Sequence, residues 1–183
     1  ELHVDATVAV ENGTTYIYGA GGGQPCSHFA YIIAKYDTAG NLLAQATDPG
    51  QEPAFSSCFR IRSSSGQGVA VLNGSIYAAG VAHDDSFDIA RPTIWKHDTN
   101  LNVVWKQYDS SVEGDFTGVT ALGGAIYAVG ATRGINQDFI VQKYDEDGNQ
   151  LWSNISGGAN TDYLTGVTGI GNRLFAVGYT NSE

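Results

Sequence analysis

The chain has 183 residues, 42% hydrophobic and 15% charged, so it is long enough for a packed core and too apolar for a disordered protein. Nine Lys and Arg stand against 19 Asp and Glu. The net charge of −10 argues against nucleic acid as a partner, because phosphates attract basic surfaces. No apolar run has the length of a membrane-spanning helix, so we expect no membrane insertion.

An eight-residue pattern with an aromatic or β-branched centre recurs along the chain and ends each time in glycine. Its copies run from Asn12 to Gly19, from Asn73 to Gly80, from Gly123 to Gly130 and from Gly171 to Gly178. A small residue followed by valine precedes each copy, as in Gly118-Val119. The later copies are about 50 residues apart, which is the spacing of propeller blades and not of helical repeats.

A second motif, lysine-aromatic-aspartate, follows the first three copies at Lys35, Lys96 and Lys143. It continues through a turn into an apolar stretch that contains Trp105 and Trp152 in the second and third units but Ala44 in the first. Each unit therefore predicts four short strands; in the third they cover 118–122, 125–130, 139–144 and 150–154. Radial repetition of four-stranded antiparallel units predicts an all-β fold, the β-propeller.

The units do not add up to a whole number of blades. We expect blades at about 4–66, 67–116 and 117–164, and a half blade at 165–183, or about three and a half blades. A half blade exposes a strand edge that invites pairing. The prediction is that the chain belongs to a longer polypeptide, or that other subunits complete the propeller. A four-bladed ring with a truncated last blade is the third alternative.

The stretch from Asp138 to Ser153, followed by Gly157-Gly158 and Asp162-Tyr163, resembles the SBBP-type β-propeller repeat of bacteria and archaea. In that repeat a strand, a Tyr-Asp-x-x-Gly-Asn turn and a Trp-containing strand alternate. Kelch repeats are the second resemblance, although their double glycine is missing after the second strand. The resemblance implies an extracellular or cell-surface scaffold, in line with the scarcity of lysine, and it specifies no ligand.

Long connections follow the second and fourth strands of each unit and share one face, where we expect function to lie. Cys26 and Cys58 fall on this face of the first blade, which predicts a disulfide and an oxidising compartment. Two unrelated buried thiols are the alternative.

Candidate ligand-binding residues on the same face are His28, His83, Asp84, Asp85, Asp88, Asp115 and Asp162. The acidic cluster at 84–88 has the oxygen donors that calcium prefers, with plain solvation as the competing interpretation. No other cofactor is expected. Three sequons mark candidate glycosylation sites at Asn12, Asn73 and Asn154, of which the first two are equally typical of hairpin turns.

No catalytic signature accompanies these residues: the histidines are dispersed and no Gly-x-Ser-x-Gly is present. We therefore expect a non-catalytic structural or adhesive module. A carbohydrate-binding propeller is the alternative, suggested by loop aromatics at Phe55, Phe59, Phe87, Phe116 and Tyr163. A hydrolase or lyase with its site on the long-loop face is the third hypothesis.

Overall fold

The computed structural model describes residues 4–23, 30–48, 64–83 and 89–181. Within these ranges the regular elements are all β-strands, and no helix is long and apolar enough to cross a membrane. The strands form three four-stranded antiparallel sheets and one two-stranded sheet. Consecutive strands are neighbours throughout, so each sheet is a simple meander.

The sheets follow one another along the chain. Sheet I consists of β1 (Val4–Glu11), β2 (Thr14–Gly23), β3 (Ala30–Tyr36) and β4 (Leu42–Asp48). Sheet II consists of β5 (Ser64–Leu72), β6 (Ser75–His83), β7 (Ala90–His97) and β8 (Val103–Tyr108). Sheet III consists of β9 (Gly114–Leu122), β10 (Ala125–Thr132), β11 (Phe139–Tyr144) and β12 (Gln150–Ser156). Sheet IV consists of β13 (Asp162–Ile170) and β14 (Arg173–Thr180).

Two kinds of tight turn fix the strand order within a sheet. Between the first and second strands, Asn73 and Gly74 both have positive φ (49° and 74°), which suits the right-handed twist of a two-residue hairpin. Between the third and fourth strands, the Asp145 carboxylate accepts hydrogen bonds from the backbone N–H groups of Asp147 (3.0 Å) and Asn149 (2.8 Å). Asp37 and Asp98 make the equivalent bonds in sheets I and II. The Asp-x-x-x-Asn motif is thus a self-satisfied turn.

The recurrent glycines are explained by close backbone approaches. A Cβ on Gly130 would lie 2.0 Å from the carbonyl oxygen of Asp115, where a bulge at Thr117 interrupts the pairing of β9 with β10. A Cβ on Gly68 would lie 2.9 Å from the Cα of Gly118, because the first strands of sheets II and III pack backbone to backbone. Both glycines of the repeat are therefore steric requirements.

The sheets stack side by side through their first strands, β1 on β5, β5 on β9 and β9 on β13. Two apolar cores fill the first two junctions. Between sheets I and II, Tyr31 stacks on Trp95 with ring centroids 4.5 Å apart, and the Tyr31 hydroxyl hydrogen-bonds the buried His97. Between sheets II and III, Tyr77 and Phe116 are fully buried. The described residues show no comparable packing of sheet IV on sheet I, so the arrangement is an open arc.

The junction of sheets I and II and the junction of sheets II and III are packed by different residues at equivalent positions. In sheet III the turn residue Gly148 (φ 88°) lies against the Trp105 ring of sheet II, and a Cβ there would be 3.2 Å from the ring. The corresponding residue of sheet II is Leu101, which has φ 68° yet is only 2% exposed. Leu101 packs in the core that includes Ala44, the residue that replaces tryptophan in sheet I. A Trp-Gly pair at one junction is thus an Ala-Leu pair at the other.

Candidate functional site

A cavity of about 410 Å³ lies where the first strands of the sheets converge. Its lining includes Asp5 from β1, Gln67 from β5, Thr117 from β9, and Tyr163 and Thr165 from β13. Gln67, Thr117 and Thr165 are the bulge residues of their strands, because the pairing register shifts at each of them. The bulges add polar side chains to a lining that already contains Asp5 and Tyr163, which makes the cavity suited to a polar ligand.

Asp115 and Tyr163 form the most defined polar contact beside this cavity. The Tyr163 hydroxyl donates to Asp115 Oδ2 at 2.8 Å, and Arg133 Nε lies 3.8 Å from Asp115 Oδ1. Tyr163 also stacks on Tyr179 with ring centroids 5.6 Å apart. Burial, reinforced by the charge of Asp115, raises the pKa of Tyr163 well above its usual value. The phenol is protonated at neutral pH, as any tyrosine is, and donates the hydrogen bond to Asp115.

Asp162 is buried at the start of β13 and serves the connection that precedes it. Its Oδ2 accepts a hydrogen bond from the Gly158 N–H at 2.6 Å. A Cβ on Gly157 would be 2.2 Å from Asp138 Oδ1 and 2.8 Å from Asp162 Oδ2, so the two carboxylates are neighbours across this glycine. The Gly157-Gly158 pair lets the backbone fold over these carboxylates, which gives Asp162 an evident structural role.

The remaining predicted site residues have different outcomes. Asp115 and Asp162 were expected in loops, but both lie in strands and are buried, since the first strands begin before the small residue-valine pair. His83 ends β6, and its side chain is outside the described residues. Also outside them are Cys26, His28, Cys58, Asp84, Asp85 and Asp88, so the disulfide and the calcium site stay predictions. In the ranges described, no group of three or more His, Cys, Asp or Glu is placed to hold a metal ion.

The sequons and the loop aromatics divide in a similar way. Asn12 and Asn73 are exposed turn residues, and Asn73 donates to Glu146 Oε1 at 2.7 Å. Asn154 is exposed on β12. The assignment of Phe116 to a ligand-binding loop is wrong, because it lies in β9 and is fully buried between sheets II and III. Tyr163 does line the cavity.

Both ends of the arc expose apolar side chains whose equivalents are buried at the internal junctions, a feature that sequence analysis did not assign. Val8 on β1 is 62% exposed, whereas its equivalent in sheet II, Val69, is 4% exposed because sheet I covers it. Val177 on β14 is 65% exposed, whereas its equivalent in sheet III, Val129, is fully buried. Phe175 and Tyr179 lie beside Val177 on the same face of β14 and are about half exposed. We call these the leading face (β1) and the trailing face (β14).

Comparison with known proteins bears on the fold. No protein-family model and no curated protein matches the chain. Among solved structures, a subtype N10 neuraminidase-like protein of A/little yellow-shouldered bat/Guatemala/060/2010 is similar, with a TM-score of 0.50 at 8% sequence identity. The likeness covers 82% of this chain but 43% of that one, so the chain spans less than half of its length. At this identity the similarity concerns the arrangement of the sheets and does not extend to activity.

Proposed function

We propose that the chain is a non-catalytic β-propeller module of about three and a half blades, in which each sheet is a blade. It serves as a structural or adhesive scaffold of a larger extracellular or cell-surface protein or assembly. The single observation behind this proposal is the pair of apolar faces at the ends of the arc. Their equivalents are buried at the internal junctions, and propellers close with about four to eight blades.

The energetics favour covering both faces. Fully burying a valine or phenylalanine side chain contributes about 1.5–3 kcal/mol. Val8, Val177, Phe175 and Tyr179 are between 48% and 65% exposed, so covering them is worth several kcal/mol before the cost of association. Further blades, from the same polypeptide or from other subunits, have the complementary surface, as the internal junctions do.

The proposal is tested by the mass of the native particle over a range of protein concentration, measured by light scattering. We expect association that Val8→Lys or Val177→Lys weakens. Val104→Lys is the matched control, since Val104 is similarly exposed but lies on β8, an outer strand away from both faces. A chain that stays monomeric at every concentration, with unchanged stability in both face variants, would contradict completion of the propeller by other copies of this chain.

Carbohydrate binding in the cavity is the second candidate function. The observation in its favour is a lining of amide, hydroxyl and carboxylate groups next to the stacked Tyr163 and Tyr179 rings, because sugars combine hydrogen-bonding groups with apolar faces. A glycan array tests it, and Gln67→Ala should abolish any signal. A hydrolase or lyase has less support, since Asp115 and Asp162 are already engaged by Tyr163 and Gly158.

A further inference from the structure

A lysine on the third strand of one sheet donates a hydrogen bond to the turn between the third and fourth strands of the next sheet. Lys35 Nζ lies 4.0 Å from the Tyr16 ring centroid and donates to the carbonyl oxygen of Thr99, at 3.3 Å. Lys96 Nζ lies 5.5 Å from the Tyr77 ring centroid and donates to the carbonyl oxygen of Glu146, at 2.8 Å. Both acceptors occupy the same position, directly after the aspartate that begins the turn.

A tryptophan on the fourth strand contacts the same turn. Trp105 Nε1 donates to the carbonyl oxygen of Glu146 at 3.2 Å, so Lys96 and Trp105 converge on one oxygen. The Trp105 ring also lies against Gly148 of that turn, where a Cβ would be 3.2 Å away. A tryptophan at this position therefore requires glycine in the opposing turn, whereas alanine, as at Ala44, goes with a leucine.

Sheet III has the same lysine and tryptophan, and no turn of the described residues faces them. Lys143 lies opposite Trp152 in the strand register, as Lys96 lies opposite Trp105, and its Nζ is 5.4 Å from the Tyr127 ring centroid. Sheet IV ends at β14 in the described residues, so neither Lys143 Nζ nor Trp152 Nε1 has a hydrogen-bond acceptor among them. Trp152 is 41% exposed, and β14 pairs on one edge alone within the same ranges.

We infer that β14, Lys143 and Trp152 together form a docking site for an antiparallel β-hairpin with an Asp-Xaa-Xaa-Gly-Asn turn. The first strand of the hairpin adds to the edge of β14 on which no described strand pairs, and the hairpin completes a four-stranded sheet. The carbonyl after the aspartate accepts from Lys143 and Trp152, and the turn glycine lies against the Trp152 ring. This inference rests on the proposed function and specifies the chemistry of the partner at the β14 end of the arc.

The test uses the full chain, isotope-labelled, and an unlabelled synthetic peptide with the sequence of residues 138–156, which contains the required turn. We expect saturable binding that slows amide exchange along β14 and shifts the indole N–H resonance of Trp152. The substitution Lys143→Met in the labelled chain, with the peptide unchanged, should weaken binding several-fold. A peptide with Gly148→Leu should bind at least about tenfold more weakly, because the leucine meets the Trp152 ring and adopts positive φ.

The decisive comparison is whether a substitution at Trp152 reverses the chain's preference between the glycine-containing and the leucine-containing peptide. The chain variant Trp152→Ala recreates the Ala44–Leu101 combination, so it should bind the leucine-containing peptide better than the glycine-containing one. Equal affinity of both peptides for both chains, or no protection of β14 at millimolar peptide in a chain that still self-associates, overturns the hairpin inference alone. A monomeric chain that binds neither peptide contradicts the proposed function as well.

Discussion

Leu101→Gly tests whether packing outweighs backbone strain at the junction of sheets I and II. Leu101 holds a left-handed backbone conformation (φ 68°) that costs a non-glycine residue about 1 kcal/mol, and glycine removes that cost. Against this, removing a buried leucine side chain from a packed core costs about 3–4 kcal/mol, and Leu101 is 2% exposed. We expect a net loss of about 2–3 kcal/mol in the free energy of unfolding.

The assay is equilibrium unfolding in urea, with the slope checked for constancy so that the midpoint reports stability. Asn100→Gly is the control, because it places a new glycine in the same turn at an exposed position. Its effect should stay within about 1 kcal/mol.

The packing of Leu101 near Ala44 also predicts that a second substitution restores stability. Ala44→Trp alone should destabilise by about 1–3 kcal/mol, because the ring competes with Leu101 for one space. Combined with Leu101→Gly, it recreates the Trp105–Gly148 arrangement and should recover much of the loss. If Leu101→Gly is neutral or stabilising, or the two substitutions are additive, the account of this junction is refuted.

Three further predictions concern the repeat and the site. Gly130→Ala should lower the free energy of unfolding by at least about 3 kcal/mol, because its Cβ would meet the Asp115 carbonyl oxygen at 2.0 Å. Gly166→Ala should be tolerated, because its Cβ would make an ordinary contact at 3.7 Å, and equal thermal midpoints of the two variants would contradict this. Hydrogen bonds from Asn149 lower the pKa of Asp145, so this turn contributes stability above the ordinary pKa of 3.8 that is lost as pH falls. A carboxyl titration by NMR should show the lowered pKa, and Asn149→Ala should move it back towards 3.8. Burial raises the pKa of Tyr163, so stability present below its ordinary value of 10.0 is lost as pH rises; Tyr163→Phe should reduce that alkaline loss, and an unchanged profile would contradict it.

Sequence periodicity was sufficient for the elements that local chemistry determines. The Asn-Gly and Gly-Gly hairpins follow from residues that tolerate positive φ, and the Asp145 turn follows from hydrogen bonds within five residues. The closing glycines were visible as a pattern, although their cause, the carbonyl approach at Gly130, is a feature of the paired strands.

What escaped prediction depends on contacts between distant segments. The bulge at Thr117 moved Asp115 from a predicted loop into a strand, and no local signal marks an inserted residue. In sheet I, Lys35 pairs with Tyr18 and not with the aligned Tyr16, a shift of two residues that preserves side-chain faces and so leaves the pattern intact. Leu101 occupies the turn position of Gly148, and only its burial in the core that includes Ala44 explains a leucine there.

The most direct test of the central claim is the native mass of the chain, measured across concentration for the wild type and Val177→Lys. We predict an assembly larger than one chain that the lysine on the trailing face disrupts, while Val104→Lys assembles normally. A wild-type chain that remains a monomer throughout, and whose unfolding midpoint is unaffected by Val177→Lys, would show that the trailing face is stable uncovered and would contradict association of the chain through it.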